Sequence, residues 1–130
     1  MSDLSNYAEN ALVNHLLRNS ALTSPTTVYL ALFTAVSDAE AGTGTEVSAT
    51  GYARQAVAFD APSNGVTQNT AAETFGPLTG STGTVTHAAL FDASTGGNAL
   101  TAIKALAASK AWADGDSIQF AAGDVDFSLA

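Results

Sequence analysis

The run TTVYLALFTA at 26–35 constrains the fold more than any other stretch, because both of its alternation faces are apolar. In an extended chain successive side chains point to opposite faces, so Val28, Leu30 and Leu32 share one face and Tyr29, Ala31 and Phe33 the other. A strand that is apolar on both faces has to be covered on both. One face is expected to line a core and the other to meet an N-terminal helix or a neighbouring subunit. TVTHAALFDA at 84–93 echoes this run, with Ala-Leu-Phe at 31–33 and again at 89–91. Pairing of the two runs in the centre of one fold is the simplest explanation of the echo.

From residue 26 onward, short runs rich in Val, Thr, Tyr and Phe are separated by clusters of Gly, Asn, Asp and Ser, the pattern of strands and turns. Strands are expected at about 26–35, 52–59, 66–75, 83–92, 98–108 and 117–128. Before them, DLSNYAENALVNHLLRNSAL puts Leu4, Ala8, Ala11, Leu12, His15 and Leu16 on one helical stripe, with Asp3 or Ser5 as a cap and Arg18 in the last turn. The fold class is therefore mainly β, an antiparallel β-sandwich (jelly-roll-like or a partly open barrel) with one N-terminal α-helix. The helix is expected over about 3–19 and the sandwich over about 26–130, as a single domain 1–130. VSDAEAGTGTEVSATG at 36–51 reads as a long exposed loop, GPLTGSTG at 76–83 as a second, and STGGN at 94–98 as a tight hairpin with positive φ at its glycines.

Twelve acids against four bases give a net charge of -8, which repels phosphate backbones and anionic lipid surfaces. Neither nucleic acid nor membrane is expected as a partner, since no apolar run approaches the roughly 20 residues of a spanning helix. The start of the chain also lacks the basic and apolar regions of a signal peptide. There is no cysteine, so disulfides and thiolate metal sites drop out. Only 12% of residues are charged, against the usual quarter, so much of the surface is expected to lie against other subunits.

Catalytic chemistry finds little to work with. The two imidazoles, His15 and His87, fall on the helix stripe and inside a strand, where a structural role is expected. No nucleophile elbow is present, and no glycine-rich stretch is followed by lysine at phosphate-loop spacing. Asp114, Asp116, Asp124 and Asp126 repeat as Asp-x-Asp without the calcium-loop pattern, and are read as a turn before the last strand and a bulge within it. No catalytic residue, cofactor or metal is assigned. Trp112 is expected to plug one end of the core. Arg54, in GTEVSATGYARQAVAF at 44–59, is expected to pair with Glu46 and pin the long loop, so that Arg54→Ala weakens assembly or loop order and leaves the isolated fold intact.

LALFTA at 30–35, GTEVSATGYARQAVAF at 44–59, NTAAETF at 69–75, GTVTHAALFDASTGGNAL at 83–100 and DGDSIQFAAGDVDFSL at 114–129 follow one another in this order. Together they resemble a family of short tailed-bacteriophage virion proteins, some labelled tail fibre proteins and others similar to capsid cement or decoration proteins. The resemblance implies a structural virion protein, made in the host bacterial cytoplasm and carried on the capsid surface. Its expected partners are the major capsid protein and further copies of itself, as a trimer or dimer. A tail or fibre-associated role is the alternative, and a carbohydrate-binding sandwich stacking sugars on Trp112 and Tyr52 a more distant one. Tyr7, Leu12, Leu16, Glu46, Tyr52, Arg54 and Trp112 are the interface candidates.

Overall fold

A computed structural model describes residues 3–129. Helix α1 (Asn6–Leu17) precedes strands β1 (Val28–Asp38), β2 (Thr43–Glu46), β3 (Gln55–Val57), β4 (Val66–Gln68), β5 (Glu73–Leu78), β6 (Gly83–Phe91), β7 (Lys104–Trp112), β8 (Asp116–Phe120) and β9 (Asp126–Ser128). The main sheet has the order β2-β1-β6-β7, with β3 also on β1, while β4 pairs with β9 and β5 with β8. Among the described residues all strand pairs are antiparallel and no barrel closes. The chain is thus mainly β with one N-terminal helix. The two echoing runs are the central pair, with Ala31 opposite Ala89 and Tyr29 opposite Phe91.

One face of the main sheet contributes Leu30, Leu32, Val85, Leu90 and Trp112 to a core completed by Phe75, Leu78, Ile118 and Phe120 from the β5–β8 pair. Each large apolar side chain buried in this way stabilises the fold by about 1.5–3 kcal/mol. On the opposite face, Ala31, Phe33, Ala89 and Phe91 are buried with Ala99 and Ile103, and Val36 and Ala39 pack against them. The cover of that second face is the chain's own segment 99–103 and the β1–β2 turn. Neither the helix nor a neighbouring subunit is needed there. The segment is drawn over the sheet by backbone bonds from Leu100 N–H to Leu90 O and from Ile103 N–H to Ala39 O.

Other expectations are corrected by pairings between distant residues. The 36–51 stretch is not one long loop, because Thr43–Glu46 folds back on β1 as β2. Four residues are too few to show a period, and the partner edge that holds them is not visible locally. The run at 66–75 breaks into β4 and β5, and the run at 117–128 into β8 and β9, which belong to different sheets. Asn69 sits at that double crossing, 1% exposed. Its amide donates to Ala71 O and Ala121 O and its carbonyl accepts from Gly123 N–H and Val125 N–H, so one side chain satisfies both broken ladders. β5 runs on to the buried Leu78, which shortens the second loop; β7 starts at Lys104 and β3 spans only Gln55–Val57. The turn at 94–98 does carry positive φ at Gly96 (61°) and Gly97 (72°).

Trp112 is in the core, 6% exposed, as expected from the sequence. β6 begins with glycine because that ring lies against it: a Cβ on Gly83 would fall 2.5 Å from Trp112 Cη2. Gly83→Ala is expected to lower stability by about 1–3 kcal/mol through this overpacking, read as a lower denaturation midpoint with an unchanged slope.

Candidate functional site

The polar centre of the molecule is built around Arg54, just before β3. Its Nε donates to Glu46 Oε2 at 2.9 Å and its Nη2 to Glu46 Oε1 at 3.0 Å, a two-pronged pair of the kind arginine geometry favours. Nη1 donates to Ala93 O and to Gly96 O, both at 2.9 Å. The guanidinium carbon lies 4.0 Å from the centroid of the Phe91 ring, within cation–π range. The expected Arg54–Glu46 pair is present, and it reaches further than the loop it was expected to pin. It fastens the end of β2 to the turn that follows β6, with the arginine side chain only 7% exposed.

Tyr52 extends the brace into the sheet. Its hydroxyl donates to Glu46 Oε2 at 2.5 Å and accepts from Leu32 N–H at 3.0 Å. β1 changes partners along this edge, from β3 at Val28–Leu30 to β2 from Phe33 onward. Leu32 N–H falls in the gap, where a strand donor would otherwise be left unpaired. Burial, then the hydrogen bond to Glu46, hold the Tyr52 phenol protonated well above its ordinary value of 10.0. A folded-state pKa raised in this way gives a contribution that is complete below pH 10 and is lost as pH rises beyond it. Stability is therefore expected to fall above about pH 10, and the part due to Tyr52 to vanish in Tyr52→Phe, as measured by denaturation across pH 9–11.

The arrangement suits fixation. Glu46 has both oxygens engaged, by Arg54 and by the Tyr52 hydroxyl. A shallow recess of about 290 Å³ beside it is lined by Phe33, Gly44, Glu46, Arg54 and Phe91, among others. Asp116 and Asp124 act as turn caps, accepting from Ala113 N–H and Ala121 N–H, while Asp114 accepts from Gly80 N–H in a distant turn and Asp126 faces Lys104. Among the described residues no group of three or more His, Asp or Glu side chains is placed to hold a metal ion. His87 Nδ1 sits 2.8 Å from Thr86 Oγ1, and exposed His15 accepts from Leu22 N–H.

The remaining interface candidates lie apart from the brace. The root of the helical arm is fixed by Ser5, 1% exposed. The Ser5 hydroxyl donates to Ala99 O and accepts from Ala8 N–H as the helix cap. Beyond the root, no residue of α1 is buried. Tyr7, Val13, Leu16 and Leu17 are 44, 51, 67 and 79% exposed, Leu12 is half-buried, and residues 18–26 leading back to β1 are exposed throughout. A polar helix could stand in water like this, but a helix with large apolar side chains around it is ordinarily covered. Trp112 is removed from the surface set by its burial, which also takes away the proposed sugar platform. The sequence pattern pointed to the stripe on α1, but not to its standing off the body. Asn69 gave no signal, because its four partners come from segments up to 56 residues away.

The described residues form a small antiparallel β-body with a braced centre and an exposed helical arm. The chain matches the family described as Podophage GP4 fiber I protein gp80 over residues 3–128, and it belongs to that family. It is a structural protein of the phage virion. No curated protein matches the chain.

Proposed function

We propose that this chain is a capsid decoration or cement protein, without enzymatic activity, which binds the outer face of the phage head and the major capsid protein through contact area. The observation that carries this reading is the N-terminal arm, whose apolar side chains the body leaves open in a sparsely charged chain. A projecting fibre usually depends on a long shaft or coiled coil, and the 12-residue α1 is far too short for one. A decoration protein needs a rigid body and adhesive extensions. Each copy would bury about 1,000 Å² against the shell and its neighbours, and repetition over the lattice would multiply the effect.

The family's description as a fibre protein favours a second reading, a tail or fibre-associated structural component. Copy number in purified virions separates the two. A decoration protein on a symmetric shell is expected on the order of hundreds of copies, and a tail component at tens or fewer. Binding of the free protein to isolated heads is expected for the first reading. Failure to bind heads, together with a low copy number, would move the assignment to the tail.

A further inference from the structure

The arm begins at the rim of an apolar groove that its own tip cannot reach. The groove holds about 350 Å³ and is lined by Leu90, Leu106, Phe120 and Val125, with exposed Asp124 and Asp126 on its border. It stays open because β7 bulges away from β6: the pairing steps from His87–Ala105 to Val85–Lys110, leaving residues 106–109 unpaired at the edge of the main sheet. Asp3 also lines the groove, and its carbonyl accepts from Ala102 N–H, which fixes the root of the arm beside it. From there α1 runs for 12 residues, about 18 Å at the helical rise. Leu16, Leu17 and Arg18 therefore lie roughly 15–18 Å from the start of the helix and Val13 roughly 11 Å, and a straight helix cannot return its last turn to the groove at its root.

Charge matches the tip to the groove. Of the four Lys and Arg side chains, Arg54 is locked to Glu46, Lys104 lies near Asp3 and Asp126, and Lys110 sits over the Phe120 ring. Arg18 is exposed, and among the described residues its guanidinium bonds to the neutral amide oxygen Asn14 Oδ1. Among the described residues that line the groove, Asp3, Asp124 and Asp126 stand with Lys104, so its border remains acidic. An apolar tip ending in an exposed arginine and an apolar groove with an acidic border are complementary, and both are present in each chain.

We propose that the arm tip of one copy docks in the groove of a second copy, with Leu16 and Leu17 on the apolar lining and Arg18 against Asp124 and Asp126. A contact of this kind, between two different patches, is heterologous: it closes into a ring or a reciprocal pair, or runs on as an open filament, according to the rotation it imposes. It holds for either position in the virion. It also explains how a 12-residue helix with no buried residue is maintained, since isolated helices of that length are marginal in water.

The absence of cysteine makes the test direct. Leu17→Cys and Ala105→Cys proteins are prepared separately, Ala105 being an exposed residue of the groove, then mixed and mildly oxidised. Disulfide-linked dimers are expected in the mixture and at least tenfold fewer in either protein alone. Three results overturn the proposal: no linked dimer in the mixture, equal linkage in Leu17→Cys alone, which would show arm against arm, or closure within one chain of the double-cysteine variant. Sedimentation supplies a second measurement on the cysteine-free chain. Arg18→Glu is expected to weaken self-association by about tenfold, and Arg18→Glu with Asp126→Arg to restore it. Wild-type protein that stays monomeric at all concentrations, or a charge reversal without rescue, also overturns it.

Discussion

Arg54→Ala is expected to lower the stability of the free protein by about 3–5 kcal/mol, the range for removing one partner of a buried ion pair. The lower part of that range is favoured, because Glu46 is 28% exposed and water can reach its freed oxygens. The loss does not stop at Glu46. Ala93 O and Gly96 O lose their donor, and Phe91 loses the cation over its ring. Sequence alone suggested that this variant would leave the isolated fold intact; the burial of the guanidinium moves the expectation to the fold itself. Arg54→Lys is expected to recover only a minor part, since an ammonium cannot make the two-pronged pair and also reach both carbonyls. Denaturant unfolding of the three proteins measures the effect, and a midpoint for Arg54→Ala equal to wild type would show the brace to be idle.

Phe75→Ala is expected to produce a comparable loss, about 3–5 kcal/mol, the usual range for truncating a fully enclosed phenylalanine. Phe75 is 0% exposed. Its ring stacks on Tyr52 with centroids 5.9 Å apart and planes 9° from parallel, and meets Phe120 edge-on at 6.1 Å. Phe75 therefore joins the β5–β8 pair to the main sheet and also sets the position of the Tyr52 ring, whose hydroxyl fills the gap at Leu32. Because Tyr52 is shared, Phe75→Ala and Arg54→Ala are expected to be non-additive by about 0.5–1 kcal/mol in a double-mutant cycle. Strict additivity would separate the core from the brace.

The brace was partly legible in the sequence. Arginine is rare in a chain with 12 acids and four bases, and Glu46 lies eight positions before it in a glycine-bounded stretch, so the pairing followed from charge. The roles of Tyr52 and of the carbonyls at 93 and 96 did not follow. They depend on where the β6 turn comes to rest, 39 and 42 residues further along the chain. The same limit applies to β2, whose four residues become a strand only because β1 offers an unpaired edge beyond Leu32.

The doubly apolar runs determined that two strands would be enclosed and paired at the centre, because a period of two fixes which side chains share a face. The change of period after the first 20 residues determined one helix followed by strands. Tertiary structure alone decided what covers each face. Segment 99–103 takes the place that the helix was expected to fill, and α1 is left standing off the body with its leucines exposed. Local spacing records which residues seek cover, whereas the supplier of that cover depends on contacts between segments far apart in the chain, or on a second chain.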